Sequence, residues 1–269
     1  MENDVHWIQV GELAEGISEN LLADSRDLIG KSTRLFFEDG SIFKYTFISL
    51  NQLSWTAMEG HQPTEAADET YRSTCIRDGV YFVDFVKHQV QTRSVSLVLD
   101  LNQNAAIGVF GNLPLEQEAR RDLFQRVDQG MDLSGVKAVL LEGSIGKPFG
   151  EGVRKYPPTS DLIGKRVKYV YSRTETYEHI YLNEHRYTWH CLEGIEKGLA
   201  DTDECYCRRI EEKLFLFVWR EKIVPTLGVV LIDMHQMKTT GKIFGYASSD
   251  FGKVTNVPVG AYASLINEI

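Results

Sequence analysis

The side chains best suited to move a proton crowd into one stretch of the 269-residue chain, from Lys165 to Glu221. Tyr169, Tyr171, His179, His190 and Glu221 fall there, among Tyr177, Trp189, Phe217 and Trp219. Strand-like alternation puts Phe215, Phe217, Trp219 and Glu221 on one face. A carboxyl at the end of an aromatic row sits where desolvation raises its pKa. That is how a carboxylic acid becomes a general acid near neutral pH.

The same alternation groups Val167, Tyr169 and Tyr171, with Lys168 opposite; lysine prefers solvent, so the tyrosines point inward. Tyr177, His179 and Tyr181 share a face. Arg186, Thr188, His190 and Leu192 oppose Tyr187, Trp189 and Cys191. Plainer readings stand beside the chemical ones. Tyr169 and Tyr171 also fit as core tyrosines with hydrogen-bond partners, and Trp189 and Trp219 as core tryptophans. Glu221 could pair with Arg220 or Lys222 on a rim. His179, His185 and His190 fall on consecutive strands, but their spacings match no zinc motif. Cys205-Tyr-Cys207 is not a CxxC pair, and the acidic run Asp201–Glu204 lacks EF-hand spacing. No metal is expected.

The elements that position these residues come from a duplication. Asp27-Leu-Ile-Gly-Lys31 recurs as Asp161-Leu-Ile-Gly-Lys165, an offset of 134 (161 − 27). The same offset carries Trp55 to Trp189, Glu59-Gly60 to Glu193-Gly194, Ile76 to Ile210 and Phe110-Gly111 to Phe244-Gly245. Asp100 and Asp233 align with one residue of slippage. A register kept this long marks a tandem repeat. The first copy predicts strands at Arg34–Phe37, Ser41–Ile48, Gln52–Met58, Val80–Phe85, Val95–Leu101 and Ala105–Phe110. The second predicts them at Arg166–Tyr171, Tyr177–Leu182, Tyr187–Leu192, Leu214–Arg220, Gly228–Met234 and Thr239–Tyr246. Asp39-Gly40 and Asp78-Gly79 read as hairpin turns. Each copy is an antiparallel meander, and closure into a small barrel removes its edges and leaves an interior for a small ligand.

Three segments follow: 1–113, a first barrel with a leading helix at Glu12–Leu28; 114–160, a helical connector over Pro114–Gln129 with a short apolar run at Val136–Leu141 and a Gly/Pro-rich linker; and 161–269, the second barrel. A net charge of −9 disfavours nucleic acid as a partner. No apolar run is long enough to span a bilayer, and Met1–Trp7 lacks the features of a secretory leader, so a cytoplasmic protein with free thiols is expected.

Lys165, Tyr169 and Tyr171, then Tyr177-Glu178, Asn183, Trp189, Gly194 and Phe217-Val-Trp219-Arg-Glu221 resemble the barrel of the bacterial phenolic acid decarboxylases. That resemblance implies a calycin-type, cofactor-independent lyase. It implies that Tyr169 and Tyr171 bind the substrate and that Glu221 manages the proton. The family's arginine falls on His190, which cannot form a bidentate, always-charged clamp on a carboxylate.

A resemblance covering nearly the whole chain is to the MoaF family. It rests on Tyr177-Glu-His-Ile-Tyr-Leu-Asn183, Tyr187-Thr-Trp-His-Cys-Leu-Glu-Gly194, Leu199-Ala-Asp-Thr-Asp203, Trp219-Arg-Glu-Lys-Ile-Val-Pro-Thr-Leu-Gly228 and Thr240-Gly-Lys-Ile-Phe-Gly245. The family label is molybdenum cofactor biosynthesis protein F, and some members are linked to monoamine use. The sequence holds no Gly-rich phosphate cradle and no cysteine metal cluster.

At the fixed offset the first copy puts Leu35, Phe37, Thr56 and Lys87 where the second has Tyr169, Tyr171, His190 and Glu221. One site is therefore expected, in the second copy. The first copy is left to serve as scaffold, lid or interface, the last giving a homodimer. The expectation is an all-β protein of two tandem calycin/lipocalin-like barrels with a few short helices. It would be a lyase- or isomerase-type enzyme without cofactor, acting on a small aromatic or conjugated metabolite. Glu221, Tyr169, Tyr171 and His190 would be catalytic. Tyr177, His179, Trp189, Phe217 and Trp219 would bind. The alternatives are a non-catalytic ligand-binding barrel, or a role in molybdenum cofactor or monoamine metabolism.

Overall fold

Alternating apolar residues fold most of the chain into strands. A computed structural model describes residues 7–14, 16–60 and 62–268; Met1 to His6, part of the stretch read for a leader, lie outside the described residues. Strands β1 (Ser32–Phe37), β2 (Ile42–Phe47), β3 (Gln52–Glu59), β4 (Gln62–Arg77), β5 (Val80–Val86), β6 (Arg93–Asp100), β7 (Ala105–Asn112) and β8 (Lys137–Ile145) close into one antiparallel barrel. Every second side chain points in. Leu35, Phe37, Tyr45, Phe47, Leu53, Trp55, Val83, Phe85 and Leu97 pack one core.

The second barrel repeats the order with β9 (Lys165–Val170), β10 (Thr176–Asn183), β11 (Arg186–Glu193), β12 (Ala200–Glu211), β13 (Leu214–Glu221), β14 (Thr226–Asp233) and β15 (Lys238–Tyr246). The chain then runs through β16 (Val254–Val259) and β17 (Tyr262–Glu268). Strand β17 pairs with β9, and β15 pairs with β14, β16 and β17, which closes the ring. Two tandem barrels with three short helices, α1 (Val10–Leu13), α2 (Glu116–Ala119) and α3 (Leu123–Asp128), are thus the architecture the alternation predicts. Among the described residues no helix is long and apolar enough to cross a membrane.

The chain divides into two compact units built from discontinuous pieces. One holds Leu22–Gly111 and Ala138–Tyr156; the other holds the N-terminal segment through Leu21, Asn112–Lys137 and Pro157–Ile269. The repeat is visible in matched bonds. Trp55 Nε1 donates to Glu69 Oε1 at 3.2 Å, as Trp189 Nε1 does to Asp203 Oδ2 at 3.1 Å. Asp100 and Asp233 each cap the turn after their strand, Oδ1 accepting two backbone N–H groups. Gly40 and Gly79 take positive φ in the two expected hairpin turns.

Four expectations are corrected. The helix expected over Glu12–Leu28 ends at Leu13, because the following chain bonds to the barrel instead: the Asn20 N–H donates to Tyr171 O at 3.1 Å and its side-chain amide to Val170 O at 3.0 Å. The helix expected over Pro114–Gln129 splits into α2 and α3, where Asp122 accepts the Gln125 N–H and caps the second piece. The run Val136–Leu141 becomes part of β8 and completes a barrel. Eight strands replace six in the first copy because the first half of β4, Gln62–Asp68, is polar and largely exposed, leaving no apolar alternation to read. In the second copy β12 was hidden in the same way, its inward residues being Asp203, Cys205 and Cys207 rather than aliphatics.

Asp100 is fully buried and also accepts the Tyr156 hydroxyl at 3.0 Å. Asp100→Ala leaves buried donors unpaired, at about 1–3 kcal/mol for each one that finds no water. A fall of at least about 2 kcal/mol in urea-unfolding stability is expected; wild-type stability would contradict it.

Candidate functional site

Register decides which side chains meet inside the second barrel. Tyr169, Tyr171, Tyr177, His179, Tyr181, Tyr187, Trp189, Phe217 and Trp219 all point inward and are buried. They form a continuous ring system. His179 lies 4.7 Å from Tyr169, 5.0 Å from Tyr187, 6.0 Å from Phe217 and 5.9 Å from Trp219, centroid to centroid. Phe217 and Trp219 stack at 5.8 Å. Deepest is the pair of Tyr169 and Tyr181, whose hydroxyls bond to each other at 2.7 Å.

Above this floor lies a chamber of about 50 Å³. Its walls are Tyr171, Tyr177, His179, Tyr187, Trp189, Trp219, Glu221, Glu196, Thr226 and Ile243. Its roof is the N-terminal segment, through Ile8, Gln9, Val10, Leu13 and Ile17. Helix α1 rests on the end of β15 so closely that a Cβ at Gly11 would collide with backbone atoms of Ala247. Trp7 meets Trp189 edge-on at 5.7 Å.

The polar groups of the chamber are acids and hydroxyls. Glu221 Oε1 accepts the Trp219 Nε1–H at 2.9 Å. Burial, then the charge of Asp203, pushes the Glu221 carboxyl well above the usual range. Glu196 accepts the Tyr177 hydroxyl at 3.0 Å and faces the Ile8 N–H; burial raises it also. His179 is buried with no partner for Nδ1 among the described residues, and desolvation pushes it down to about 3, so its imidazole is neutral. Burial also raises the Tyr171 and Tyr177 phenols, which stay protonated. No lysine or arginine is among the described lining residues.

The structure brings Tyr171, Tyr177, His179, Trp189, Trp219 and Glu221 to the chamber. Tyr169 and Phe217 lie in the floor beneath it. His190 is separated from all of them. It stands on the outer face of β11, where Nδ1 faces Glu178 Oε2 at 3.6 Å, and Glu178 also bonds Arg166. The parity that turns Trp189 inward turns His190 outward. His185 sits in the exposed turn between β10 and β11, so the three histidines do not converge. Tyr187, Glu196 and the roof join the site without having been among the residues expected there. Tyr187 shares the parity of Trp189, a signal that was present. Glu196 lies in a loop and the roof over 150 residues upstream, with no local pattern to mark either.

Two family profiles match the chain: the MoaF N-terminal domain over residues 5–115 and the MoaF C-terminal domain over residues 156–269. "Protein MoaF" of Klebsiella aerogenes is 41% identical over 271 residues, covering 99% of this chain and 98% of that protein. Among solved structures, a "putative beta-lactamase" from Burkholderia vietnamiensis aligns with a TM-score of 0.33 and 10% identity, covering 42% of this chain and all of that one; a likeness that weak carries no argument. Matched along both halves and over nearly its full length, the chain belongs to the MoaF family.

Proposed function

We propose that the second barrel is a cofactor-independent acid/base enzyme of lyase or isomerase type, acting on a small aromatic or conjugated molecule. One observation carries this: the Glu221 carboxyl lies in an aromatic chamber, bonded by the Trp219 indole, where burial keeps it protonated far above an ordinary glutamic acid. A group held so can give up and take back a proton at neutral pH. The Tyr171 hydroxyl and the unbonded His179 Nδ1 anchor and polarise the polar end of the substrate. Trp189, Trp219 and Tyr177 supply flat walls.

The ligand is neutral or positively charged at its polar end. A carboxylate would find no lysine or arginine among the described lining residues to balance its charge. Aromatic faces attract cations instead. Cinnamate-type decarboxylation is therefore not the reading favoured, since His190 on the outer face supplies no clamp. A second reading, a ligand-holding barrel without chemistry, is favoured by the roof that covers the chamber.

A thermal-shift panel of aromatic amines, their aldehydes, phenolic acids and pterins, with product analysis of each hit, tests the proposal. Amine or neutral hits with turnover are expected. His179→Phe should weaken binding at least about tenfold, the loss of one hydrogen bond in a buried site, at a folding cost below about 1.5 kcal/mol. Phenolic acids binding best would overturn the ligand class, and hits without turnover would favour the holding role.

A further inference from the structure

The backbone of Gly228 is not left-handed, so no positive φ calls for glycine there. Strand pairing sets Gly228 directly opposite Trp219. A Cβ at this position would collide with Cε2 and Cζ2 of the indole, far closer to them than contact allows. The absence of a side chain is what lets the ring lie against β14. From that seat Trp219 Nε1 reaches Glu221 Oε1. The first barrel has the corresponding strand pair without the device: Phe85 stands opposite Val95, and Lys87 takes the place of Glu221.

We infer that Gly228 is a positioning residue for Glu221, acting through Trp219: its bare backbone seats the indole so that the N–H occupies Oε1 and leaves Oε2 as the oxygen that carries and transfers the proton. This rests on the reading of Glu221 as the proton-transfer group, but its geometry is testable without turnover. The charged or titratable groups facing Glu221 are Tyr171 just after β9, Tyr187 on β11, Asp201 and Asp203 on β12, and Glu196 in the loop between β11 and β12. None of these is altered by a change at Gly228.

The test is carbon-13 NMR of the full-length chain with labelled glutamate, the Glu221 carboxyl signal being the one lost in Glu221→Gln. Trp219→Phe removes an N–H that favours the ionised form, so its Glu221 midpoint should rise by roughly one pH unit. Gly228→Ala should raise it similarly and move the Trp219 indole N–H resonance. The double variant should titrate like Trp219→Phe alone, since both changes act on one bond. An unmoved midpoint in Gly228→Ala, or shifts that add in the double variant, would overturn the inference. Should Gly228→Ala not fold, the smaller ring of the double variant relieves the collision and should restore folding; a double variant that also fails to fold overturns it. Full turnover in Glu221→Gln would instead remove the enzymatic reading and leave the titration result standing.

Discussion

Glu221→Gln is expected to lower turnover by about 10²–10⁴-fold while the barrel stays folded and still binds its ligand. Glutamine keeps the size of the side chain and an oxygen for the Trp219 N–H, and it cannot exchange a proton. The same change has a signature in stability. In the fold Glu221 titrates well above its unfolded value of about 4.3. A raised carboxyl means that the folded state binds the proton more tightly. Stability is then lost as pH rises from the unfolded value through the folded one, and the loss is complete above it. Glutamine has no such penalty. The variant should therefore gain on the wild type between pH 5 and pH 8 in urea unfolding; Glu175, also raised, slopes both proteins alike, while Asp203 and Glu196, whose charges raise Glu221, lose that repulsion in the variant and add to its gain. Equal turnover, or a stability difference that ignores pH, would each count against the assignment.

The roof gives the second large effect, and here the sign is informative. Helix propensity alone says that Gly11→Ala, inside α1, should stabilise by about 0.5–1 kcal/mol. Packing says the opposite. The new Cβ meets the carbonyl oxygen and Cα of Ala247, backbone atoms that cannot rotate away. Overpacking of this kind costs about 1–3 kcal/mol, and the relief available is for α1 to lift. Lifting α1 carries Val10 and Leu13 away from the chamber. A lower melting temperature, faster ligand release and new binding of an apolar dye are expected together. A higher melting temperature would mean that α1 is not seated on β15.

Much of this site was legible because parity survives in a strand without any partner being known. Lys168 opposite Tyr169, and Glu221 in line with Phe217 and Trp219, were enough to turn those residues inward. His190 shows how a resemblance can override parity: its alignment with a binding arginine drew it toward the site, while its neighbour Trp189 already required it to face out. The offset of 134 foretold that Trp55 and Trp189 are equivalent, and the acids that receive their indoles, Glu69 and Asp203, obey the same offset. Illegible were β4 and β12, whose polar or acidic inward residues break the apolar rhythm. The roof was illegible for a different reason. Leu13 and Ile17 read as part of a helix leading into the first barrel, Ile8 to Val10 carry no pattern, and only closure of the second barrel gives them a cavity to cover.

The bond from Ser18 to the Pro258 carbonyl, at 3.2 Å, joins residues 240 positions apart. On a ribosome adding about 5–20 residues per second, the N-terminal segment waits roughly 10–50 s for β16, the strand it bonds. Throughout that interval Val10, Leu13 and Ile17 have no chamber to face. The C-terminal family domain, residues 156–269, holds the walls without the roof. Gene duplication could copy the walls, but the covered chamber exists only in the finished chain.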